Sequence, residues 1–394
     1  MHDRLRWLAA SLALATGACV KAQLPASGSL PVAAGTSCHS GAASLYFDFA
    51  GAAASTCVIT AEREFQLLVT PEHAPPINPS PWYAFRYEAG ESAPVSVTLR
   101  YLGGEHRYAP KWSNGNGTWR VLPVESADNG KSAIVRLPAG KGIIAAQEII
   151  TPADARADLL RWSALTGAQP FSLGQSHDGR PVEAIRLGRA DAPKLVILIG
   201  RQHPPEVSGA IAMQAFVDAL VGQSLRNPQS FADLQFLIVP MVNPDGTARG
   251  HWRANRGGVD LNRNWGDFSQ PETRAVKVWL DALPKAVRPV LMVDFHSTQR
   301  NLFYVQGDEA NVGQRRFLTA WLAGKENAFS GYRFTIEPRN ANPGSGTAKN
   351  WFHTTFAIPA YTFEVADDAD RAATRGAAKE LAASLPEALE SREE

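Results

Sequence analysis

His203 and Glu206 stand three apart in His-Pro-Pro-Glu (203–206), and His296 lies far downstream in Val-Asp-Phe-His-Ser (293–297). Two imidazoles and one carboxylate can hold a zinc ion and leave one coordination position open for water. Glu364, in Tyr-Thr-Phe-Glu-Val (361–365), is a further carboxylate able to act as general base on such a water. Arg253 and the pair Asn262-Arg263 lie between these points. A guanidinium binds carboxylate oxygens bidentately and does not deprotonate, so these residues suit a substrate carboxylate or a developing oxyanion.

Each residue also has a plainer reading. A lone histidine is usually a turn or surface residue, and Arg256 is as close to the cluster as Arg253. Glu364 sits in an otherwise apolar run, where an unpaired carboxylate is costly, so it either pairs with an arginine or faces a site. Asp294, two residues before His296, is read as alternating away from the metal, with a supporting role left open. His251 and His353 are read as bystanders, and Trp82, Trp112 and Trp119 as core.

The order and context of these segments resemble the zinc carboxypeptidases. The matching strings are Arg-Gln-His-Pro-Pro-Glu, Val-Asn-Pro-Asp-Gly (242–246), Val-Asp-Leu-Asn-Arg-Asn-Trp (259–265), Asp-Phe-His-Ser and Tyr-Thr-Phe-Glu, together covering roughly 155–385. Residues 78–119 resemble the β-sandwich domain of the cytosolic-carboxypeptidase branch. The resemblance implies that His203, Glu206 and His296 hold one Zn2+ and that Glu364 is the general base. It implies that Arg253 polarises the scissile carbonyl and that Asn262 and Arg263 hold the substrate carboxylate. Asp260 is then the acceptor of the other ring N–H of His203. The family commonly has a mobile tyrosine some twenty residues before the base, and residues 339–351 contain none. Lys349 falls where relatives place the residue at the floor of the specificity pocket. By charge complementarity it favours an acidic terminal residue, Glu or Asp, or a second carboxylate as in diaminopimelate. The plainer alternative is a solvent-facing lysine on a glycine-rich loop.

These residues need elements to hold them. With 394 residues, 45% hydrophobic and 20% charged, the chain is expected to form two domains with a sizeable core. Residues 43–150 read as an antiparallel β-sandwich, with alternating runs at 65–69, 82–87 and 95–101 and a turn at 114–117. Residues 151–394 read as a carboxypeptidase-type α/β/α domain with a mixed central sheet. Its first helix opens at Thr151-Pro152. Apolar runs at 194–199, 234–239 and 289–294 read as strands buried on both faces. Amphipathic helices are expected at 207–221, 271–282, 312–328 and 371–389. His203, His296 and Glu364 fall at or just past strand ends, where open α/β sheets bind ligands.

Residues 1–22 carry Arg4 and Arg6 before a short apolar run and end in small residues, the pattern of an export signal. Cleavage after Ala22 and lipidation at Cys19 are both open; simple secretion to the periplasm or beyond is the favoured reading. A linker at 23–42 follows. Cys38 and Cys57 are then a disulfide or two buried thiols. The net charge of +1 gives no reason to expect nucleic acid or a membrane surface as partner. No other run is long enough to span a bilayer. The expected function is an exported zinc carboxypeptidase acting on a peptide or protein C-terminus. The rivals are an amidase of cell-wall peptides, cutting beside D-glutamate or diaminopimelate, and a binding protein with an inactive peptidase fold.

Overall fold

The computed structural model describes residues 37–391 except 54–55, 75, 77, 91–93 and 343. The expected signal segment, Cys19 and most of the linker lie outside the described residues.

Short alternating runs build two facing sheets in the N-terminal part. Six strands follow the order Cys38–His39, Ala43–Tyr46, Ala84–Ala89, Gly140–Ala145, Lys111–Ser113, Arg120–Val121. Five follow the order Thr56–Ala61, Glu64–Val69, Val95–Tyr101, Ser132–Leu137, Val124–Ala127. The sandwich is antiparallel except where Glu64–Val69 runs parallel to Val95–Tyr101. The chain between those two strands crosses to the other sheet as Ala84–Ala89, which makes a parallel return possible. The expected linker ends early, because Cys38 already pairs with Leu45. Cys38 and Cys57 are bridged, their Cα atoms 6.0 Å apart, and the bridge staples one sheet to the other. Trp82 is buried in this core, with Trp112 and Trp119 packed against it.

After Thr151 the pattern changes to α/β. The Thr151 hydroxyl accepts from the Asp154 amide, and the Asp154 carboxylate accepts from the Thr151 amide. Eight strands form a mixed sheet in the order Pro170–Gln175, Pro181–Gly188, Leu234–Val239, Lys194–Gly200, Arg288–Thr298, Ala360–Ala366, Leu302–Val305, Thr335–Pro338. The three central strands that carry or precede the site, Lys194–Gly200, Arg288–Thr298 and Ala360–Ala366, are parallel neighbours. Their ends therefore open on one edge, as a shared site requires. One face packs on helices Val207–Arg226 and Arg371–Ala383. The other packs on Pro271–Asp281 and Ala348–Phe356.

Two expected helices change and one is added. The helix expected at 312–328 stops at Trp321, and that expected at 371–389 divides at Ser384. Ala348–Phe356 is an additional helix, capped by the Thr347 hydroxyl. Its start is hidden in a string rich in Gly, Ser and Asn that reads as loop. Sandwich and α/β layers share apolar contacts: the sandwich core includes Val207 and Ile211 of the Val207–Arg226 helix, and Trp252.

Candidate active site

His203 and Glu206 belong to the connection between the strand Lys194–Gly200 and the helix Val207–Arg226. Arg201 has φ of +52° there, and its Nη2 donates 2.8 Å to the Pro204 carbonyl, which pins the loop. His296 lies near the end of Arg288–Thr298, and its Cα pairs with that of Glu364 on the adjacent strand. The helix and the metal strand nearly touch: a Cβ at Gly209 would sit 2.4 Å from the His296 carbonyl oxygen. Glycine is required by that close approach.

The rings of His203 and His296 converge on one carboxylate. His203 Nδ1 lies 2.8 Å from Glu206 Oε1, and His296 Nδ1 lies 2.6 Å from Glu206 Oε2. Each ring's second nitrogen meets another carboxylate, Asp260 at 2.9 Å behind His203 and Asp294 at 2.7 Å behind His296. Asp294 thus points to the same side as His296, because the strand stays regular, and it is also held by Gln202 Nε2 at 2.7 Å. Burial would push Glu206 up and both imidazoles down. Mutual attraction wins: Glu206 is held well below the usual carboxylate range, and both rings are raised. Three carboxylates around two rings call for positive charge at the centre. The Nδ1, Nδ1 and carboxylate donors, within 4.8 Å of one another, fit one zinc ion. The outer carboxylates would fix both tautomers.

A cleft of about 730 Å³ opens over this cluster, lined by His203, Glu206, His296 and Glu364 together with Arg253, Asn262, Arg263 and Lys349. Glu364 is partly buried, and its Oε2 is shielded from solvent with no hydrogen-bond partner among the described residues. Burial pushes its carboxyl up to about 7, against the pull of His296. Arg253 Nε donates 2.6 Å to Asp260 Oδ2, so Asp260 links it to His203. Asn262 accepts the Ala348 amide through Oδ1, at the start of the added helix. Arg263 is exposed at the rim and donates to the Asn262 carbonyl. Gly346, at φ +69°, lies against the Arg263 carbonyl, and its own carbonyl accepts from Trp265. Lys349 is not on a loop and does not face solvent. It is 5% exposed, and its Nζ donates 2.8 Å to the Arg339 carbonyl. Burial pushes its ammonium down to about 8, with Glu309 pulling the other way.

Arg256 lies 3.7 Å from Asp178, half-exposed and outside the cleft lining. His251 and His353 contact the carbonyls of Ala254 and Ile358 and do not line the cleft. Residues 339–351 lack a tyrosine, but Tyr304 lines the cleft from the strand Leu302–Val305, with the Arg339 guanidinium 5.5 Å from its ring centre. Sequence reasoning missed Tyr304, Gln202, Arg107 and Glu72. Glu72, in the sandwich, accepts the amides of Trp252, Arg253 and Ala254 at 2.7, 3.0 and 2.6 Å. Nothing local in the sequence marks it, since its partners lie 180 residues away.

A family model described as zinc carboxypeptidase matches residues 166–376. The chain belongs to the zinc carboxypeptidase family. Human cytosolic carboxypeptidase 6 is 30% identical over 214 residues, which cover 49% of this chain and 42% of that protein. An uncharacterized protein of Zymomonas mobilis is 26% identical over 215 residues, covering 51% of this chain and 55% of its own. The chain spans about half the length of the curated relatives it matches. Among family structures, a metallo-carboxypeptidase from Burkholderia cenocepacia superimposes with a TM-score of 0.70 at 21% identity, covering 88% of this chain and 98% of that one. One from Pseudomonas aeruginosa gives 0.70 at 18% identity, covering 88% and 99%. At these identities the likeness is one of fold. No helix among the described residues is long and apolar enough to cross a membrane.

Proposed function

We propose that this chain is an exported zinc-dependent carboxypeptidase of the cytosolic-carboxypeptidase-like branch, hydrolysing a C-terminal peptide bond and releasing an acidic residue. The observation that carries the reading is the single cleft in which His203, Glu206 and His296 face Glu364 beside Arg253, Asn262 and Arg263. Zinc on the first three would supply Lewis acidity at the scissile carbonyl and acidify water there. Glu364 is suited to take a proton from a water in the cleft and return it to the leaving amine, since its carboxylate lines the cleft beside the three ligands with Oε2 free of any hydrogen-bond partner among the described residues. Arg253, oriented by Asp260, donates to the carbonyl oxygen as charge grows on it. Arg263 and Asn262 hold the terminal carboxylate, which restricts cleavage to chain ends.

The acidic preference is supported by Lys349, a buried ammonium on the cleft wall, and by Arg339 beside it. The branch is supported by the partial likeness to cytosolic carboxypeptidase 6. Export rests on the pattern of residues 1–22. The test is terminal-residue profiling of the zinc-loaded protein on a peptide library that includes muropeptides. Release of Glu and Asp ahead of apolar and basic residues is expected. Cleavage of muropeptides alone would move the reading to a cell-wall amidase. Failure on every substrate, with zinc absent, would leave a binding protein.

A further inference from the structure

Resting on the carboxypeptidase reading, we infer that Arg107, a residue of the β-sandwich, is a substrate-positioning residue that binds main-chain oxygen on the retained side of the scissile bond. Arg107 lies between the strands Val95–Tyr101 and Lys111–Ser113 and lines the same cleft as the metal cluster, with Asn78 and Ser80 beside it. Its Nε donates 2.8 Å to Asp367 Oδ2 and its Nη1 donates 2.7 Å to Ser80. Its guanidinium carbon lies 5.1 Å from the centre of the Tyr108 ring. These contacts fix the guanidinium plane. They use two of its five N–H groups; the other three have no partner among the described residues. The side chain is 14% exposed, so those groups are held in place yet reachable.

Placement supplies the direction. Asn262 and Lys349 pack toward the face of the sheet that carries Ala348–Phe356. Arg107 sits over the opposite face: its partner Asp367 follows the base strand, and the Asp367 carbonyl accepts from Ser208 and Arg371 on the two helices there. The metal cluster lies between. A substrate whose terminal carboxylate rests on Asn262 and Arg263 must run its remaining chain past Glu364 toward the sandwich. A fixed guanidinium with free N–H groups there matches successive peptide carbonyls.

The experiment compares two peptides ending in the residue the parent enzyme removes best: an unblocked dipeptide, whose retained side has no carbonyl beyond the scissile one, and an N-acetylated hexapeptide. Both are tested on the zinc-loaded parent, Arg107→Ala and Arg107→Lys. For Arg107→Ala, KM on the hexapeptide should rise about tenfold or more with kcat nearly unchanged, as expected when binding common to ground and transition states is lost. The dipeptide should be nearly unaffected, and Arg107→Lys should recover part of the loss. Equal effects on both peptides would overturn the inference and leave Arg107 as a structural partner of Asp367. If Arg107→Ala does not fold, Arg107→Lys carries the same comparison, since it keeps charge for Asp367 but loses the planar fork. A parent inactive on both peptides overturns the carboxypeptidase reading instead.

Discussion

At the residue scale the site is a set of charges that hold one another in place. Removing one metal ligand leaves two, too few to retain a catalytic ion. His296→Ala should therefore lose most of its zinc by elemental analysis while keeping its far-UV circular dichroism; full occupancy would remove His296 from the ligand set. Glu364→Gln keeps the shape but cannot accept a proton. It should retain zinc and fold, and lose about 10²–10⁴-fold in kcat. Near-normal turnover would transfer the base role to another carboxylate. Lys349 makes a stability prediction. Its pKa in the fold is near 8, below the ordinary 10.5. Below pH 8 both folded and unfolded chains carry the proton. Between about 8 and 10.5 the unfolded chain binds it and the folded chain does not, so this lysine's contribution to stability rises with pH. In urea unfolding, the parent should gain on Lys349→Met by more than about 1 kcal/mol from pH 8 to 10 (~1.4 kcal/mol per pKa unit). A constant difference would place the ammonium in water. Lys349→Ile should also weaken any preference for Glu over Leu and Lys at the terminus; an unchanged order removes Lys349 as selector.

At the element scale, two backbones lie close enough to fix the metal ligands relative to each other. The Gly209 amide donates 2.8 Å to the Ser297 hydroxyl, and Gly209 has no room for a side chain against His296. Alanine is the better helix former by about 1 kcal/mol. The clash should outweigh this, because overpacking costs about 1–3 kcal/mol and here the obstacle is backbone. Gly209→Ala is expected to lower Tm and weaken zinc affinity together, since Glu206 precedes the helix and His296 lies on the strand. A raised Tm with unchanged affinity would mean that the elements separate freely. The helix Ala348–Phe356 shows the limit of pattern reading. Its amphipathic face of Ala348 and Phe352 is legible only once a cap at Thr347 is granted, and the preceding glycines argue for loop.

At the scale of the molecule, the sandwich supplies part of the cleft and supports the segment that carries Arg253. Glu72 takes three successive backbone amides of that segment, and Trp252 is buried in the sandwich core. Glu72→Ala leaves these amides without their acceptor, at about 1–3 kcal/mol for each buried one left unmade. Arg253 should then lose its fixed position. The expected result is normal zinc content with kcat reduced more than KM is raised, and no further loss when the change is added to Arg253→Ala. Additive losses in the double variant would show that Glu72 acts on stability alone.

The sequence by itself pointed to the cluster of His203, Glu206 and His296, the family, the buried strands and the change from sandwich to α/β near Thr151. Those features are local: a motif, an apolar run or a cap can be read within a few residues. Tertiary structure decided what depends on residues distant in sequence meeting in space. It placed Asp294 behind His296 and buried Lys349 on a helix. It brought Tyr304 into the cleft, carried Arg107 across to it from the sandwich, and set Glu72 against the backbone of the segment that holds Arg253. A carboxylate that accepts amides 180 positions away has no local signature, because its role is defined by partners that only the folded chain brings within hydrogen-bonding distance.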